Sequence, residues 1–159
     1  MTFSIVEAHD LIDAHHISSG LWQGAAPMPG DIIRNAGFDM LVLCAFEYQP
    51  TAEQFPGVEV LHAPNDDDDR LPTRDELRIA MQAAKKVAGA LLANRKVLVT
   101  CRAGRNRSGL VSAIALHKFL GLSGSQAASL VKMCRPKALT NDYFQMCLDR
   151  LPASTALKP

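Results

Sequence analysis

Val97-Leu98-Val99-Thr100 is a short apolar run, rich in β-branched residues, that leads straight into a thiol, and it constrains the fold more than any other stretch of this 159-residue chain. After Cys101 come Arg102-Ala103-Gly104-Arg105-Asn106-Arg107-Ser108-Gly109, and then an apolar helical pattern from Leu110. A buried strand, a glycine-containing turn and a helix N-terminus, in that order, bring several backbone N–H groups to one point beside the sulfur. Such a nest binds a tetrahedral oxyanion and stabilises a thiolate. A nucleophile and an anion cradle in one loop point to phosphoryl transfer through a phosphocysteine. The bland alternative is a basic turn between strand and helix. A Cys-x5-Arg spacing alone would not exclude that turn; the strand before it, Gly104, the hydroxyl of Ser108 and the helix after it do.

The rest of the chain supplies elements for an α/β fold. Gly20 to Gly24, Asp39 to Cys44, Gly57 to Ala63 and Lys96 to Thr100 read as short strands, with Asp39 to Cys44 nearly unbroken in its apolar character. A fifth short strand is expected at Phe3 to Val6 in an otherwise irregular first 20 residues. The clearest helix is Thr73 to Ala93, where Thr73 and Glu76 form a capping box and Leu77, Ala80, Ala84, Val87 and Leu91 line one face. Ser108 to Leu120 is apolar enough to be a buried helix. Ser123 and Gln126 cap another, which runs to about Cys134 before Pro136, and Thr140 to Leu151 makes the last. A short helix from Gly30 to Asn35 closes at Gly37. Strands alternating with helices imply a central, mostly parallel sheet of four to five strands flanked by helices on both faces. No repeat, linker or low-complexity tract divides the chain, so residues 1–159 are expected to form one domain with a core at about 18–151. The cysteine loop then lies at the carboxyl end of a strand, where open α/β sheets bind ligands.

Composition excludes several classes. Lys plus Arg is 17 and Asp plus Glu is 16, so no global field recruits nucleic acid or an anionic membrane. Apolar runs fall well short of the roughly 18 residues that a membrane span needs. The N-terminus lacks a signal-peptide layout, and Cys44, Cys101, Cys134 and Cys147 show no Cys-x-x-Cys spacing. The expectation is a cytoplasmic protein with thiols, no structural zinc and no cofactor. His15, His16, His62 and His117 lack ligand-like partners and read as core or surface residues, and Trp22 as packing.

Cys101 to Ser108 resembles the Cys-x-x-Gly-x-x-Arg-Ser/Thr signature of the cysteine-dependent protein tyrosine phosphatases, most closely the dual-specificity branch. Leu21-Trp22-Gln23-Gly24 is similar to that family's Leu-Tyr-x-Gly element. Arg135-Pro136, Asn141 and Phe144 are similar to its C-terminal pattern. The resemblance implies a phosphotyrosine phosphatase-like fold, with Cys101 as nucleophile and Arg107 gripping two phosphoryl oxygens. Ser108 would donate to the leaving thiolate, and Arg102, Ala103, Gly104, Arg105 and Asn106 would complete the phosphate cradle. Thr100 departs from the histidine usual before the cysteine, and its hydroxyl is expected to bond a loop carbonyl instead.

A general acid is expected in Asn65-Asp66-Asp67-Asp68-Asp69, between a strand and a helix. Registered on the strand end, His62-Ala63-Pro64-Asn65-Asp66 resembles the family's apolar-Pro-x-x-Asp element and selects Asp66, with Asp67 second. Counting back from the cysteine lands nearer Asp68 or Asp69. A solvated acidic turn is the alternative for three of the four, and an EF-hand is excluded because no glycine follows at the required position. Cys44 ends the strand expected beside the catalytic one, where some relatives form a reversible disulfide with the nucleophile; a buried, inert thiol is the alternative.

The implied substrates are phosphorylated proteins or small phosphate esters, phosphotyrosine first and phosphoserine or phosphothreonine with it. Arg102 and Arg105 stand where phosphoinositide phosphatases carry lysines, which keeps inositol phosphates and lipid headgroups open. Asn106 alone hints at phosphatases of RNA 5′-triphosphates. A phosphate-binding module without turnover and a rhodanese-like sulfur transferase are the remaining readings. The first is opposed by a complete Cys–Arg–Asp set, the second by the hydroxyl after Arg107 and by the upstream acids.

Overall fold

The central strands pair as a parallel sheet because β3 and β5 are buried on both faces along their whole length. The computed structural model describes residues 4–157. Its elements are α1 (Ile5–Asp10), β1 (Ala14–Ser18), β2 (Leu21–Gly24), α2 (Ile32–Asn35), β3 (Met40–Ala45), β4 (Glu59–Asn65), α3 (Arg74–Leu92), β5 (Val97–Thr100), α4 (Arg107–Leu120), α5 (Gly124–Cys134) and α6 (Asp142–Asp149), with a single 3-10 turn at Ala52–Gln54. The strand order is β1-β2-β5-β3-β4. Only the β1–β2 pair is antiparallel; β2–β5, β5–β3 and β3–β4 are parallel. The expected sheet, mostly parallel and flanked on both faces, is the one observed.

Alternation along the inner strands divides two cores. Val42, Cys44, Val97 and Val99 face α3, α4, α5 and α6, whereas Leu41, Leu43 and Leu98 face α1, α2, Phe38 and Phe55. Helix α4 is buried continuously from Arg107 to Leu116, packed between the sheet and α3, α5 and α6. The capping boxes at Thr73/Glu76 and Ser123/Gln126 form as expected.

Two expectations fail near the N-terminus. Phe3 lies outside the described residues, but Ile5 and Val6 begin a helix rather than form a strand. Ser4 and Glu7 make a capping box, and this local signal outweighs the β-propensity of the apolar residues around it. The true fifth strand is β1, whose His15 and His16 are exposed and break any apolar pattern. It exists because it pairs with β2. No described helix is long and apolar enough to cross a membrane.

Strand β5 is the middle strand, and its Leu98 is fully buried. Leu98→Ala is therefore expected to lower the unfolding free energy by about 2–5 kcal/mol, the range for buried leucine truncation. Urea denaturation followed by circular dichroism measures this; a loss below about 1 kcal/mol would mean that the small-face core relaxes around the gap.

Candidate active site

The cysteine loop spans from the end of β5 to the start of α4, and its shape follows from where its carbonyls go. The Arg102 carbonyl accepts from the Ala26 N–H (3.1 Å) and the Arg105 carbonyl from the Leu139 N–H (3.1 Å). Arg135 donates from Nη2 to the Ala103 carbonyl (3.0 Å) and from Nε to that of Gly104 (2.6 Å), which Gln23 Nε2 also reaches (3.1 Å). Four successive carbonyls are thus held from outside the loop. The N–H groups of Arg102 to Asn106 meet no acceptor among the described residues and are left for a ligand. This is the geometry of an oxyanion nest. Gly104 makes it possible: its φ is +70°, and a Cβ there would collide with the backbone of Gly24.

Cys101 lies at the bottom of this loop, 4% exposed, its sulfur 3.2 Å from Ser108 Oγ. Both residues are buried, one at the end of the strand and the other in the first turn of α4. Thr100 does not reach the loop. Its hydroxyl donates to the Val42 carbonyl on β3 (2.7 Å), because the side chain at the end of a central strand finds a neighbouring strand before it finds a loop.

Arg107 is 9% exposed and nearly saturated on one side. Its Nη1 donates to Glu47 Oε2 (2.7 Å) and to the Asn65 carbonyl (3.0 Å), and its Nη2 donates to Glu47 Oε1 (2.7 Å). A guanidinium carries five N–H donors, so Nε and one Nη2 hydrogen are left over. The buried Nε indeed has no partner. These two adjacent donors form the side-on fork that matches two oxygens of a phosphate. The hydrogen bond from Arg107 brings the Glu47 carboxyl from its ordinary 4.5 down to about 2, and the same bond raises Arg107. Because the folded value is depressed, the ion pair is complete above about pH 4.5 and is lost only as pH falls towards 2.

The acidic run forms the other wall. Asp67 reaches the cysteine loop: Asn106 Nδ2 donates to its Oδ2 (2.9 Å) and Asn141 Nδ2 to its Oδ1 (2.7 Å). Asp66 makes no such contact; its N–H approaches Glu76 Oε2 (3.4 Å) at the start of α3. Counted strictly from Pro64, a Pro-x-x-Asp element ends on Asp67, so the register that selects Asp66 is one residue short. Glu76 anchors the run by accepting from Arg70 (2.7 Å) and from the Thr73 N–H (2.9 Å), and the bond from Arg70 holds its carboxyl at about 2. Asp68 pairs with Arg70 at the surface (3.2 Å).

Cys44 and Cys101 are both free thiols. The Leu43–Thr100 register pair sets Cys44 on β3 alongside Cys101, the residue that follows β5. Burial pushes the Cys44 thiol well above its ordinary value, the nearby Cys101 adds to that, and Arg107 opposes both. Arg102 and Arg105 are exposed at the loop mouth.

The structure brings Cys101, Arg107, Ser108, Asn106 and Asp67 together, whereas the contact given for Asp66 is to Glu76. Sequence reasoning missed Glu47 and Gln23 as site residues, and it quoted Arg135 and Asn141 without roles for them. Glu47 is a lone carboxylate in a loop 60 residues from its partner and carries no local signal. Gln23 offered one: a buried strand rarely spends an inward position on an amide without a partner to satisfy it. Glu47→Ala is expected to weaken binding of an oxyanion such as vanadate by about tenfold by calorimetry. Unchanged or tighter binding would mean that Glu47 competes with the anion instead of aiming the guanidinium.

Residues 21–151 match the family model for the dual specificity phosphatase catalytic domain. Human Dual specificity phosphatase 28 is 30% identical over 159 residues, spanning 90% of this chain and 87% of its own. The crystal structure of human DUSP28 superposes with a TM-score of 0.73 at 29% identity, over 86% of this chain and 90% of that one. A mouse putative dual specificity phosphatase complexed with zinc tungstate gives 0.73 at 27% identity, over 86% and 84%. PTPMT1 in complex with PI(5)P shares the fold, with a TM-score of 0.73 at 20% identity over 86% and 92%.

Proposed function

The chain belongs to the dual specificity phosphatase family and is a cysteine-dependent phosphatase; we propose that it acts on phosphorylated proteins, phosphotyrosine first, through the following steps. Cys101 Sγ attacks phosphorus as the bond to the leaving oxygen breaks. Asp67 gives that oxygen its proton. The phosphocysteine is held by the loop N–H groups and by the Nε and Nη2 donors of Arg107. Water then attacks phosphorus, its proton passes to Asp67, and Ser108 Oγ donates to the departing Cys101 thiolate. Inorganic phosphate leaves, and the enzyme is restored.

The observation that carries this reading is the guanidinium of Arg107, fixed on one side by Glu47 and Asn65 with its buried Nε unpartnered beside the nucleophile's loop. No step needs a metal or cofactor. Phe46, 66% exposed and next to Glu47, gives the rim an apolar surface suited to an aryl group. A second reading, an inositol phosphate or lipid headgroup as substrate, is favoured by Arg102 and Arg105, both exposed on the cysteine loop. The four free thiols support a cytoplasmic setting, and the near balance of charges supports a protein without extended nucleic-acid contacts.

Hydrolysis of aryl phosphates in EDTA should fall by about 10⁴-fold or more in Cys101→Ser, while vanadate still binds. A wild type that binds vanadate without turnover would instead identify a phosphate-binding module. Asp67→Asn should lower kcat about a hundredfold for a poor leaving group such as phenyl phosphate and much less for a good one. Asp66→Asn should stay near wild type; the reverse pattern would return the acid to Asp66. Faster hydrolysis of inositol phosphates than of phosphotyrosine peptides would favour the second reading.

We also propose that Cys44 resolves an oxidised nucleophile. Peroxide would convert the Cys101 thiolate to a sulfenic acid, and the Cys44 sulfur would then displace hydroxide from it, leaving a disulfide and water. Intact mass after mild peroxide should then show a loss of about 2 Da, abolished in Cys44→Ser. A sulfinic adduct on Cys101 without that loss would overturn the pairing.

A further inference from the structure

We propose that the open edge of β4, with the groove between it and α3, docks an acidic, extended segment of a partner protein, which pairs with β4 as a sixth strand. Strand β4 ends the sheet and is bonded only to β3. Its outer backbone N–H and C=O groups are therefore a template for another strand. Pro64 removes one donor near the catalytic end, so the usable stretch is Glu59 to Ala63. Natural edges are usually shortened, charged or covered; this one carries exposed Glu59 and His62, but on the face towards α3 it presents the apolar pair Leu61 and Ala63.

Two cavities of about 730 and 440 Å³ follow that edge and share Leu61 and Lys86, so they form one groove running from Pro64 to Arg95. Its floor is apolar, from Leu61, Ala63 and Ile79. Its rim is basic. Lys85 and Lys86 are exposed and have no carboxylate partner among the described residues, and Arg95 has only the exposed Glu59, at 3.5 Å. The whole chain has a net charge of only +1, so this local excess is not inherited from a basic composition. Gly89 lines the lower cavity. A glycine inside a helix costs roughly 0.5–1 kcal/mol against alanine. Here nothing in the chain demands it, because a Cβ at Gly89 would meet no atom within 4 Å. Its absence leaves room for a backbone laid close to α3.

The occupant follows from charge and shape. Side chains that alternate along a paired strand reach the apolar floor at every second position, and carboxylates between them meet the lysines. A second copy of this chain paired edge to edge would instead set Lys85 and Lys86 against their own copies. The far end of β4 carries Asn65, whose carbonyl binds Arg107, so a strand held on this edge points towards the mouth of the cysteine loop. Docking itself does not depend on turnover, and its failure would leave the phosphatase reading intact.

The test uses a fluorescein-labelled peptide of about ten residues, the length of a long strand, alternating valine and glutamate. Saturable binding by fluorescence polarisation is expected, with slowed amide exchange at residues 59–63. Methylating alternate peptide nitrogens, the combined Lys85→Glu and Lys86→Glu change, and Gly89→Leu should each weaken binding by about tenfold or more. Aryl phosphate hydrolysis should be unchanged in both variants. No saturation up to about 1 mM would overturn the proposal, as would equal binding of the methylated peptide or undiminished binding to the charge-reversed variant. Concentration-dependent dimerisation abolished by the same variants would overturn it in favour of a second copy.

Discussion

Everything at the site depends on the four loop carbonyls being tied from behind. A loop of this length has its own polar groups to satisfy, and an N–H can point at a ligand only if the carbonyls of the same stretch are satisfied elsewhere. Arg135 and Gln23 do this from the side chain, and Ala26 and Leu139 do it from the backbone. These groups come from the β2 strand and the segments following β2 and α5, so the nest is a product of the whole sheet and its helical layer. Arg135 is in turn braced by Asp13 (3.2 Å) and His15 (2.8 Å), which links the anion cradle to β1 at the far edge of the sheet.

A second constraint is the aiming of Arg107. A buried guanidinium without a counter-charge would be strongly disfavoured, and Glu47 supplies one. The pairing is end-on, which leaves the side-on fork available. A carboxylate placed on Nε instead would have neutralised the charge and blocked the oxyanion together. The Asn65 carbonyl takes a further donor, so the last residue of β4 also fixes the orientation of the group that receives the phosphate. Strand, acid run and guanidinium are coupled through that one peptide group, and Glu76 anchors the next few residues to α3.

Much of the fold was legible because it is written in local patterns. β3 is an unbroken apolar run and β5 is apolar up to Thr100, α3 carries its capping box, and Pro136 stands just past the end of α5. The failures share a cause. β1 has exposed histidines and exists by pairing, and α1 was overlooked where a capping signal competed with β-prone residues. The Thr100 hydroxyl finds its acceptor on another strand, which no local pattern around it announces. In the site, Cys101, Arg107 and Ser108 were legible because eight consecutive positions hold them in one turn. Glu47, Gln23 and Arg135 were not, since each reaches its partner across long stretches of sequence.

The amino-acid sequence by itself determined that a thiol, an arginine and a hydroxyl converge at the end of a parallel strand, because backbone geometry over a few residues leaves little freedom there. It also determined that an acidic turn precedes α3. Which aspartate meets the loop was decided by tertiary structure, since Asn106 and Asn141 come from elements 35 residues apart along the chain and both close on Asp67. The same holds for the direction in which Arg107 presents its free donors. A short-range pattern can place a charge, but only packing can say which of its hydrogens are already taken.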